Sequence, residues 1–344
     1  MPFVLRRLGG IGGVLLAIAG FGATAAVAAP VPDGPRLAFV RWSPIPERFE
    51  LETVNRSGAQ PLRLAGGGLR RRPLPELFEA PSWSPDGSRI AFAGKLHSLE
   101  AGPRGTRVYV VGSDGEGLRP LRGTHGAFQP VFTPDGGAVA FTRSRRRGAS
   151  IWLADLAGGI PRRITAARRN LYMLPGSFSP DGGTLLAGRF IVGRLEEVVA
   201  VQMGTGKIEP VLRRAAEPVY SPDGTRFALI RWRPLKRRDG TRTVSSDIYT
   251  ARADGTGLRR LTRTRSQDEA FPSWDPSGER LAFVRHLPEV EGENEFIELG
   301  IGSTLMQMNA DGTCPREVLA PDFAALYGAA WQPGPGRGAG RIRC

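Results

Sequence analysis

One short pattern recurs five times in this chain and constrains the fold more than any other feature of the sequence. It begins as PSWSPDGSRIAF at Pro81 and returns, with substitutions, at Pro130, Pro175, Pro218 and Pro272. The turn prolines inside the pattern lie 42 to 54 residues apart. A period of this length, with a turn in each copy, is typical of one four-stranded blade of a β-propeller.

Each copy has the same internal order of strands and turns. An aromatic residue on a short first strand is followed by a Pro-Asp-Gly type turn, in which proline fixes φ and glycine takes the left-handed conformation. The second strand, as in RIAF and AVAF, has few charges and is expected to be buried between neighbouring blades. A third, alternating strand ends in a glycine turn before a fourth. Each repeat therefore predicts four antiparallel strands.

The two ends of the chain complete the count of repeats. The sequence GPRLAFVRW at Gly34 begins at a second strand, and AAWQPG at Ala329 supplies a first strand. We expect the strand near Ala329 to pair with the strand near Leu37. Five whole repeats and this composite one predict an all-β, six-bladed β-propeller of four-stranded antiparallel blades over residues 36–333. Pairing of the N- and C-terminal strands would close it without an exposed sheet edge.

At these motifs the chain resembles the TolB-like β-propellers, a family of Ser-Pro-Asp-Gly repeats, across residues 36–333. The resemblance implies the propeller fold. It implies no single activity, because the family includes binding proteins and the propeller parts of peptidases. TolB itself is expected to carry a separate α/β domain before its propeller. Only seven residues separate Ala28 from Arg36 here, so the partners of TolB are not carried over to this chain.

The first 28 residues have the three parts of a secretory signal, namely a basic start, an apolar middle and small residues before a cleavage site. We expect cleavage after Ala28, within the A-x-A pattern of residues 26–28, and a short linker over residues 29–35. Residues 23–25 offer a second site. An uncleaved anchor is the alternative, since the apolar run is nearly long enough to span a bilayer. The sequence predicts an exported protein that is periplasmic, cell-surface or secreted.

The net charge of +14 comes almost entirely from arginine. A basic surface outside the cytoplasm favours anionic partners such as wall polymers, acidic lipids or acidic proteins. We therefore expect a protein or an anionic envelope component as partner, and no nucleic acid. After signal cleavage the chain is expected to be a monomer and not an integral membrane protein.

Cys314 and Cys344 are the two cysteines of the chain. In an oxidising compartment such a pair predicts a disulfide, and two free thiols are the alternative. The bond would fasten the Gly-rich tail, residues 334–344, to the last full repeat.

The sequence holds no recognisable catalytic motif. The G-x-S-x-G elbow of hydrolases does not occur, and His97, His125 and His286 lie far apart, so we interpret them as solvated loop residues and expect no metal or cofactor. The leading hypothesis is a non-catalytic binding or scaffolding propeller. The alternative is a propeller enzyme, a hydrolase or lyase, with an active site assembled at the channel mouth. The turn aspartates are expected to cap their own turns: Asp86, Asp135, Asp181 and Asp223.

Strand polarity predicts which face binds. The Pro-Asp-Gly turns share one face, and the loops between second and third strands share the other with the connections between blades. On that second face aligned repeats place five arginines, here called the arginine ring: Arg41, Arg143, Arg189, Arg231 and Arg285. The connections between blades add further candidates: Glu79, Phe128, Gln129, Tyr172, Glu217, Asp268, Glu269, Phe271 and Tyr327.

Two roles are open for the arginine ring. Each arginine could pair with an acid of the next blade, which is a structural role. Alternatively, the guanidinium groups bind a carboxylate- or phosphate-bearing ligand and the aromatic residues add contact area.

Overall fold

The computed structural model describes residues 34–44, 47–65, 81–94, 105–145, 148–192, 195–236, 242–264, 267–286, 302–320, 325–334 and 340–344. The chain divides into two units, Met1–Pro30 and Val31–Cys344, and the described residues belong to the second. The predicted signal lies outside the described residues. Within the described ranges, no helix is long and apolar enough to cross a membrane.

The all-β prediction is confirmed, since the described residues form 24 strands that follow the sequence repeats. Repeat 1 contains β1 (Arg36–Pro44), β2 (Glu47–Asn55), β3 (Leu62–Ala65) and the last strand, β24 (Ala325–Trp331). Repeat 2 contains β4 (Ser82–Trp83), β5 (Arg89–Gly94), β6 (Arg107–Gly112) and β7 (Arg119–Pro120). Repeat 3 contains β8 (Ala127–Phe132), β9 (Ala138–Arg145), β10 (Gly148–Asp155) and β11 (Arg162–Arg163).

The last three repeats have the same composition. Repeat 4 contains β12 (Leu171–Phe178), β13 (Thr184–Ile191), β14 (Leu195–Gln202) and β15 (Ile208–Arg213). Repeat 5 contains β16 (Ala216–Tyr220), β17 (Arg226–Lys236), β18 (Arg242–Arg252) and β19 (Arg259–Arg260). Repeat 6 contains β20 (Asp268–Trp274), β21 (Arg280–His286), β22 (Ser303–Asn309) and β23 (Arg316–Leu319).

Consecutive strands of each repeat pair antiparallel, as predicted. Repeats 1, 2, 5 and 6 are separate four-stranded sheets. Repeats 3 and 4 share one eight-stranded sheet, because a single parallel bridge joins Ala149 of β10 to Tyr172 of β12. The first strands of consecutive repeats contact one another, and β24 contacts both β20 and β4.

The predicted pairing between the two ends of the chain is present. β24 lies antiparallel to β1, with Leu37 opposite Trp331 and Ala38 opposite Ala330. The pairing continues past the strand, since the Gln332 backbone N–H donates to the Arg36 carbonyl at 2.7 Å. A strand from the C-terminus therefore completes the sheet begun near the N-terminus.

Second strands supply much of the core, as their sequences predicted. Phe141, Phe227 and Phe283 are fully buried. The hydrophobic clusters join consecutive repeats, because Phe141 packs with Val108 of repeat 2. The same arrangement brings Phe283 of repeat 6 against Ile248 of repeat 5. The apolar side chains of one sheet are thus covered by the next sheet.

The turn aspartates cap their own turns, as predicted. Asp86 Oδ1 accepts hydrogen bonds from the Ser84 hydroxyl and, at 3.0 Å, from the Ser88 backbone N–H. These bonds hold the pKa of Asp86 at about 2, because they stabilise the ionised carboxylate. The same pattern of a hydroxyl and a backbone N–H is found at the other three turns: Asp135, Asp181 and Asp223.

Proline and glycine of these turns also bring neighbouring repeats together. Gly224 has a φ of +68°, and a Cβ there would lie 2.9 Å from Cδ of Pro180 in the preceding turn. Gly136 lies against Pro85 in the same way. The Pro-Asp-Gly turns therefore meet on one face, here called the turn face. The opposite face, formed by the hairpins between second and third strands and by the connections between repeats, is called the loop face.

At every second repeat, a serine hydroxyl of the first strand forms a hydrogen bond with the first strand of the following repeat. In three repeats a serine hydroxyl accepts from a backbone N–H of the following repeat at 2.7 to 3.1 Å; the pairs are Ser82 with Phe132, Ser177 with Tyr220, and Ser273 with Trp331. The intervening repeats carry an apolar residue at the serine position: Val131, Val219 and Ala330. The repeats are therefore of two alternating kinds.

The predicted disulfide between Cys314 and Cys344 is present. Asn309 holds the same tail segment, accepting from the Ile342 backbone N–H at 2.7 Å and donating to its carbonyl at 3.0 Å. Cys314 has a φ of +51°, and the equivalent turn position of repeat 5 is Gly257, with a φ of +66°. A cysteine therefore occupies a left-handed position that favours glycine.

Removing residues 329–344 is expected to lower the melting temperature sharply, because β1 would lose the part of β24 that pairs with Leu37 and Ala38 and repeat 1 would keep part of its edge open. The truncation also removes Cys344, so the control is the full chain with Cys344→Ser, which keeps β24 and lacks only the disulfide. Thermal unfolding followed by circular dichroism compares the two. Equal melting temperatures would show that β24 does not stabilise the sheet.

The disulfide spans 30 residues of sequence, and such a loop contributes about 3 to 4 kcal/mol to the free energy of unfolding. We expect urea unfolding of Cys314→Ser/Cys344→Ser to show a loss of this size. The matched variant Cys314→Gly/Cys344→Ser should be more stable than the serine variant by about 1 kcal/mol, since glycine adopts positive φ without strain. Equal stabilities of the two variants would contradict strain at position 314.

Candidate functional site

The arginine ring occupies one equivalent position, near the loop-face end of each second strand. Across the pairing with the third strand, Arg41 lies opposite Glu50 and Arg189 lies opposite Glu197. The remaining pairs are Arg143 with Ser150, Arg231 with Asp247, and Arg285 with Thr304. In repeat 2 the same position is Gly94.

Three ring arginines form ion pairs with carboxylates in the described part of the chain. Arg189 Nε lies 2.7 Å from Glu197 Oε1, and Arg41 Nε lies 3.1 Å from Glu52 Oε2. The third pair joins Arg285 to Glu269. All three acids belong to the same sheet as the arginine, so the expected pairing with an acid of the next blade is wrong for these members. The guanidinium groups are fixed within their own sheets.

Glu269 is fully buried and accepts two hydrogen bonds from Arg285 on one oxygen, from Nε at 3.1 Å and from Nη2 at 2.8 Å. Burial raises the pKa of Glu269, and the hydrogen bonds oppose that shift. Loss of the arginine would leave a buried carboxylate without this partner, which is strongly destabilising. Arg285 therefore has a structural role.

The other two ring arginines rest on aromatic rings. The guanidinium carbon of Arg143 lies 4.2 Å from the ring centroid of Trp152, and its Nη2 donates to the Gly123 carbonyl. Arg231 Nε donates to the Arg214 carbonyl at 3.2 Å, and its guanidinium lies 5.7 Å from the Tyr249 ring. Stacking on an aromatic face orients a guanidinium while its charge is kept.

Three predicted site residues have a left-handed backbone. Gln129, Glu217 and Phe271 have φ values of 54°, 51° and 55°, and each precedes a proline within the first strand of its repeat. The strand register shifts at these places. A bulge of this kind changes the direction in which the side chains point. The left-handed conformation costs a non-glycine residue about 1 to 3 kcal/mol. Comparison of the repeats within the sequence predicted these three residues as site candidates, but it did not predict their left-handed backbone.

Glu217 connects repeats 5 and 6 through a part-buried hydrogen bond. Its Oε2 accepts from the Phe271 backbone N–H at 2.6 Å. Burial, with a smaller contribution from the charge of Glu196, raises the pKa of Glu217 to about 7. Burial also raises the pKa of Glu196 itself. The loop-face end of this strand therefore carries a carboxyl group that titrates near neutral pH.

A buried acidic residue of repeat 5, Asp247, was not predicted from the sequence. Asp247 is fully buried and binds two arginines, Arg233 Nε at 2.9 Å and Arg260 Nη2 at 2.8 Å. Nearby, Asp268 accepts from the Ser246 backbone N–H at 2.8 Å. The sequence signal for this buried site is an aspartate within the strand sequence SSDIYT. An unpaired charge is costly in a buried strand, so an aspartate there is expected to have a cationic partner.

The predicted aromatic residues differ in exposure. Phe128 and Phe271 are buried in the core, at 3% and 6% of full exposure, so the prediction that their rings line the face is wrong. Both rings instead pack against neighbouring strands. Tyr172 and Tyr327 are half-buried at the edges of these clusters. Glu79 lies outside the described residues.

The histidines also differ from one another. His125 is exposed, as predicted, and His97 lies outside the described residues. His286 ends β21, with Nδ1 2.9 Å from the Ser303 hydroxyl, and burial lowers its pKa to about 4. The interpretation of His286 as a solvated loop residue is therefore wrong. Over the described ranges, no three His, Cys, Asp or Glu side chains form a group that could hold a metal ion.

Antiparallel four-stranded repeats that meet through Pro-Asp-Gly turns define a β-propeller protein. Solved structures agree with this class. TolB from Acinetobacter baumannii matches with a TM-score of 0.66 at 22% identity, over 87% of this chain and 66% of that chain. A TolB-like protein from Agrobacterium tumefaciens matches with a TM-score of 0.57 at 19% identity, over 88% of this chain and 100% of that chain. At such identities the likeness shows the fold alone.

Relatives in sequence show the family to which this β-propeller belongs. An uncharacterized protein of Agrobacterium fabrum is 31% identical over 225 residues, which is 63% of this chain and 68% of the relative. The Tol-Pal system protein TolB of Anaeromyxobacter dehalogenans is 33% identical over 196 residues, 53% of this chain and 41% of that protein. An uncharacterized peptidase of Bacillus subtilis is 23% identical over 61% of this chain and 30% of its own length. No family model matches the sequence.

The chain belongs to the family of the Agrobacterium fabrum protein and is a TolB-like β-propeller. It spans less than half the length of the TolB and peptidase relatives.

Glu217 is expected to make stability depend on pH. Its pKa rises from 4.5 to about 7 on folding, so its contribution to stability is full below pH 4.5 and is lost as pH rises through 7. Glu217→Gln should therefore flatten the fall in the free energy of urea unfolding between pH 5 and pH 8. Glu116→Gln, at an exposed glutamate of the turn face, is the control. An unchanged pH slope in Glu217→Gln would contradict the raised pKa.

Proposed function

We propose that this chain is an exported, non-catalytic binding or scaffolding propeller that recognises a partner in the cell envelope or outside the cell. Its six repeats close into a six-bladed ring on this proposal. Contacts between first strands support the closure, because they run in order from β4 to β24 and return from β24 to β4. The pairing of β24 with β1 supports it further.

The observation that carries the binding function is the repetition of one arginine on one face. Five of the six repeats bring an arginine to the same strand end, and a carboxylate, a carbonyl or an aromatic ring fixes each one. Guanidinium groups held in place lose little side-chain entropy when they bind an anionic group. We infer that the partner is a protein or an anionic envelope component.

Export rests on the N-terminal sequence and on cysteine chemistry. Residues 1–28 have the order of a secretory signal. The disulfide between Cys314 and Cys344 is of the kind that persists in an oxidising compartment. We propose a periplasmic, cell-surface or secreted location for the mature chain.

The alternative is a propeller enzyme, and Glu217 is the residue that favours it. A carboxyl group with a pKa of about 7 is suited to general acid–base catalysis at neutral pH. On this alternative a hydrolase or lyase site forms at the loop face, with Glu217 as the acid or base. The hydrogen bond from Phe271 equally suits a structural carboxyl between two repeats.

Capture from a solubilised envelope fraction by the immobilised protein tests the binding function, with bound components identified by mass spectrometry. Arg143→Gln/Arg231→Gln should weaken capture about tenfold or more, because each charge-assisted hydrogen bond is worth about 1.5 to 3 kcal/mol. Arg285 is excluded, since it holds buried Glu269.

The control for capture is Arg119→Gln/Arg162→Gln, which removes the same charge from exposed positions near the turn face. Undiminished capture by the ring variant would assign the ring a structural role. Chemical change of a captured component that Glu217→Gln prevents, with binding retained, would favour the enzyme.

A further inference from the structure

Outside the arginine ring, exposed arginines mark two connections between repeats on the loop face. Arg168 and Arg169 lie between repeats 3 and 4, Arg213 ends β15 of repeat 4, and Arg214 follows it in the connection to repeat 5. All four are exposed. Among the described residues, Arg168, Arg169 and Arg213 form no ion pair. Their charge is therefore available to a partner.

Exposed aliphatic side chains lie on the same face. Val192 follows β13 and is 63% exposed, and Val244 near the start of β18 is 57% exposed. The Val192 backbone N–H donates to the Asn170 carbonyl at 3.1 Å, which places this valine next to Arg168 and Arg169. The hairpins that carry the two valines belong to adjacent repeats, 4 and 5.

Acidic residues are distributed in the opposite way. Among the described loop-face acids between residues 105 and 264, Glu197 and Asp247 are buried and paired with arginines, and Glu196 and Glu217 are half-buried. Every exposed acid described in this span lies at the turn face: Asp114, Glu116, Asp135, Asp155, Asp181, Asp223 and Asp254. The fully exposed charges described on the loop face between residues 105 and 264 are therefore positive, and the next exposed acid described on this face is Asp268, at the start of repeat 6.

We propose that this surface, formed by Arg168, Arg169, Arg213, Val192 and Val244 and called the membrane patch, docks on an anionic phospholipid surface. Protruding aliphatic side chains enter the headgroup region, and arginines bind the lipid phosphates. The arginines stand on separate connections, which suits an extended charged surface more than one small anion. A purely acidic protein partner would gain little from the exposed valines. The patch uses none of the ring arginines, so this binding is additional to the proposed partner recognition.

Co-sedimentation of the full chain with vesicles tests the membrane patch. Vesicles of equal phosphatidylglycerol and phosphatidylcholine should bind the protein, and binding should fall with added salt. Arg168→Gln/Arg169→Gln should bind about tenfold or more weakly, since each basic residue near an anionic surface contributes about fivefold. Val192→Ser/Val244→Ser should also weaken binding, because aliphatic burial is lost. Residues 1–28 are the same in all variants, so differences between them report on the patch.

Matched controls alter the turn face. Arg119→Gln/Arg162→Gln removes two exposed arginines, and Ile160→Ser removes an aliphatic side chain that is 96% exposed. Both should bind vesicles like the unmodified chain. Equal binding to pure phosphatidylcholine vesicles, or full binding by the patch variants, would overturn the proposal. The proposal would also be overturned if soluble polyglutamate bound as tightly as the vesicles and the valine substitutions had no effect. That result would indicate an acidic protein partner.

Discussion

Every sheet of this protein has apolar side chains on both faces, and only the neighbouring sheets can cover them. Val108 of repeat 2 packs with Phe141 of repeat 3, and Ile248 of repeat 5 packs with Phe283 of repeat 6. A single repeat therefore cannot bury its own core, which is the defining property of repeat architectures. The close contacts of proline with glycine at the turn face and the serine hydrogen bonds between first strands set how closely consecutive sheets approach.

The same requirement makes the two ends of the chain depend on each other. β1 to β3 would leave a sheet edge without β24, and unpaired backbone groups at an edge are costly or invite aggregation. The tail is then held by Asn309 and by the disulfide of Cys314. Cys314 replaces the glycine that its left-handed backbone favours, so the cross-link has been placed at a conformational cost.

The proposed binding residues lie on the loop face, whereas the Pro-Asp-Gly turns of consecutive repeats pack against one another on the turn face. There Asp86 and its equivalents accept hydrogen bonds from within their own turns. On the loop face, charged residues form two layers. Inner arginines such as Arg189 are held by carboxylates within their sheets, whereas outer arginines such as Arg168 are exposed. The first layer suits recognition of a shaped partner, and the second suits attraction to an extended anionic surface.

The sequence by itself determined the all-β repeat organisation, the pairing of the strand near Ala329 with that near Leu37, the turn-capping role of Asp86, and the disulfide. These depend on local turn chemistry and on counting strands, which are written in contiguous residues. Only the tertiary structure decided that Phe128 is buried, that His286 ends a strand and is half-buried, and that Arg189 and Arg285 pair within their own sheets. Those outcomes depend on residues of other strands and neighbouring repeats, because burial and ion pairing are set by what the fold brings alongside a side chain.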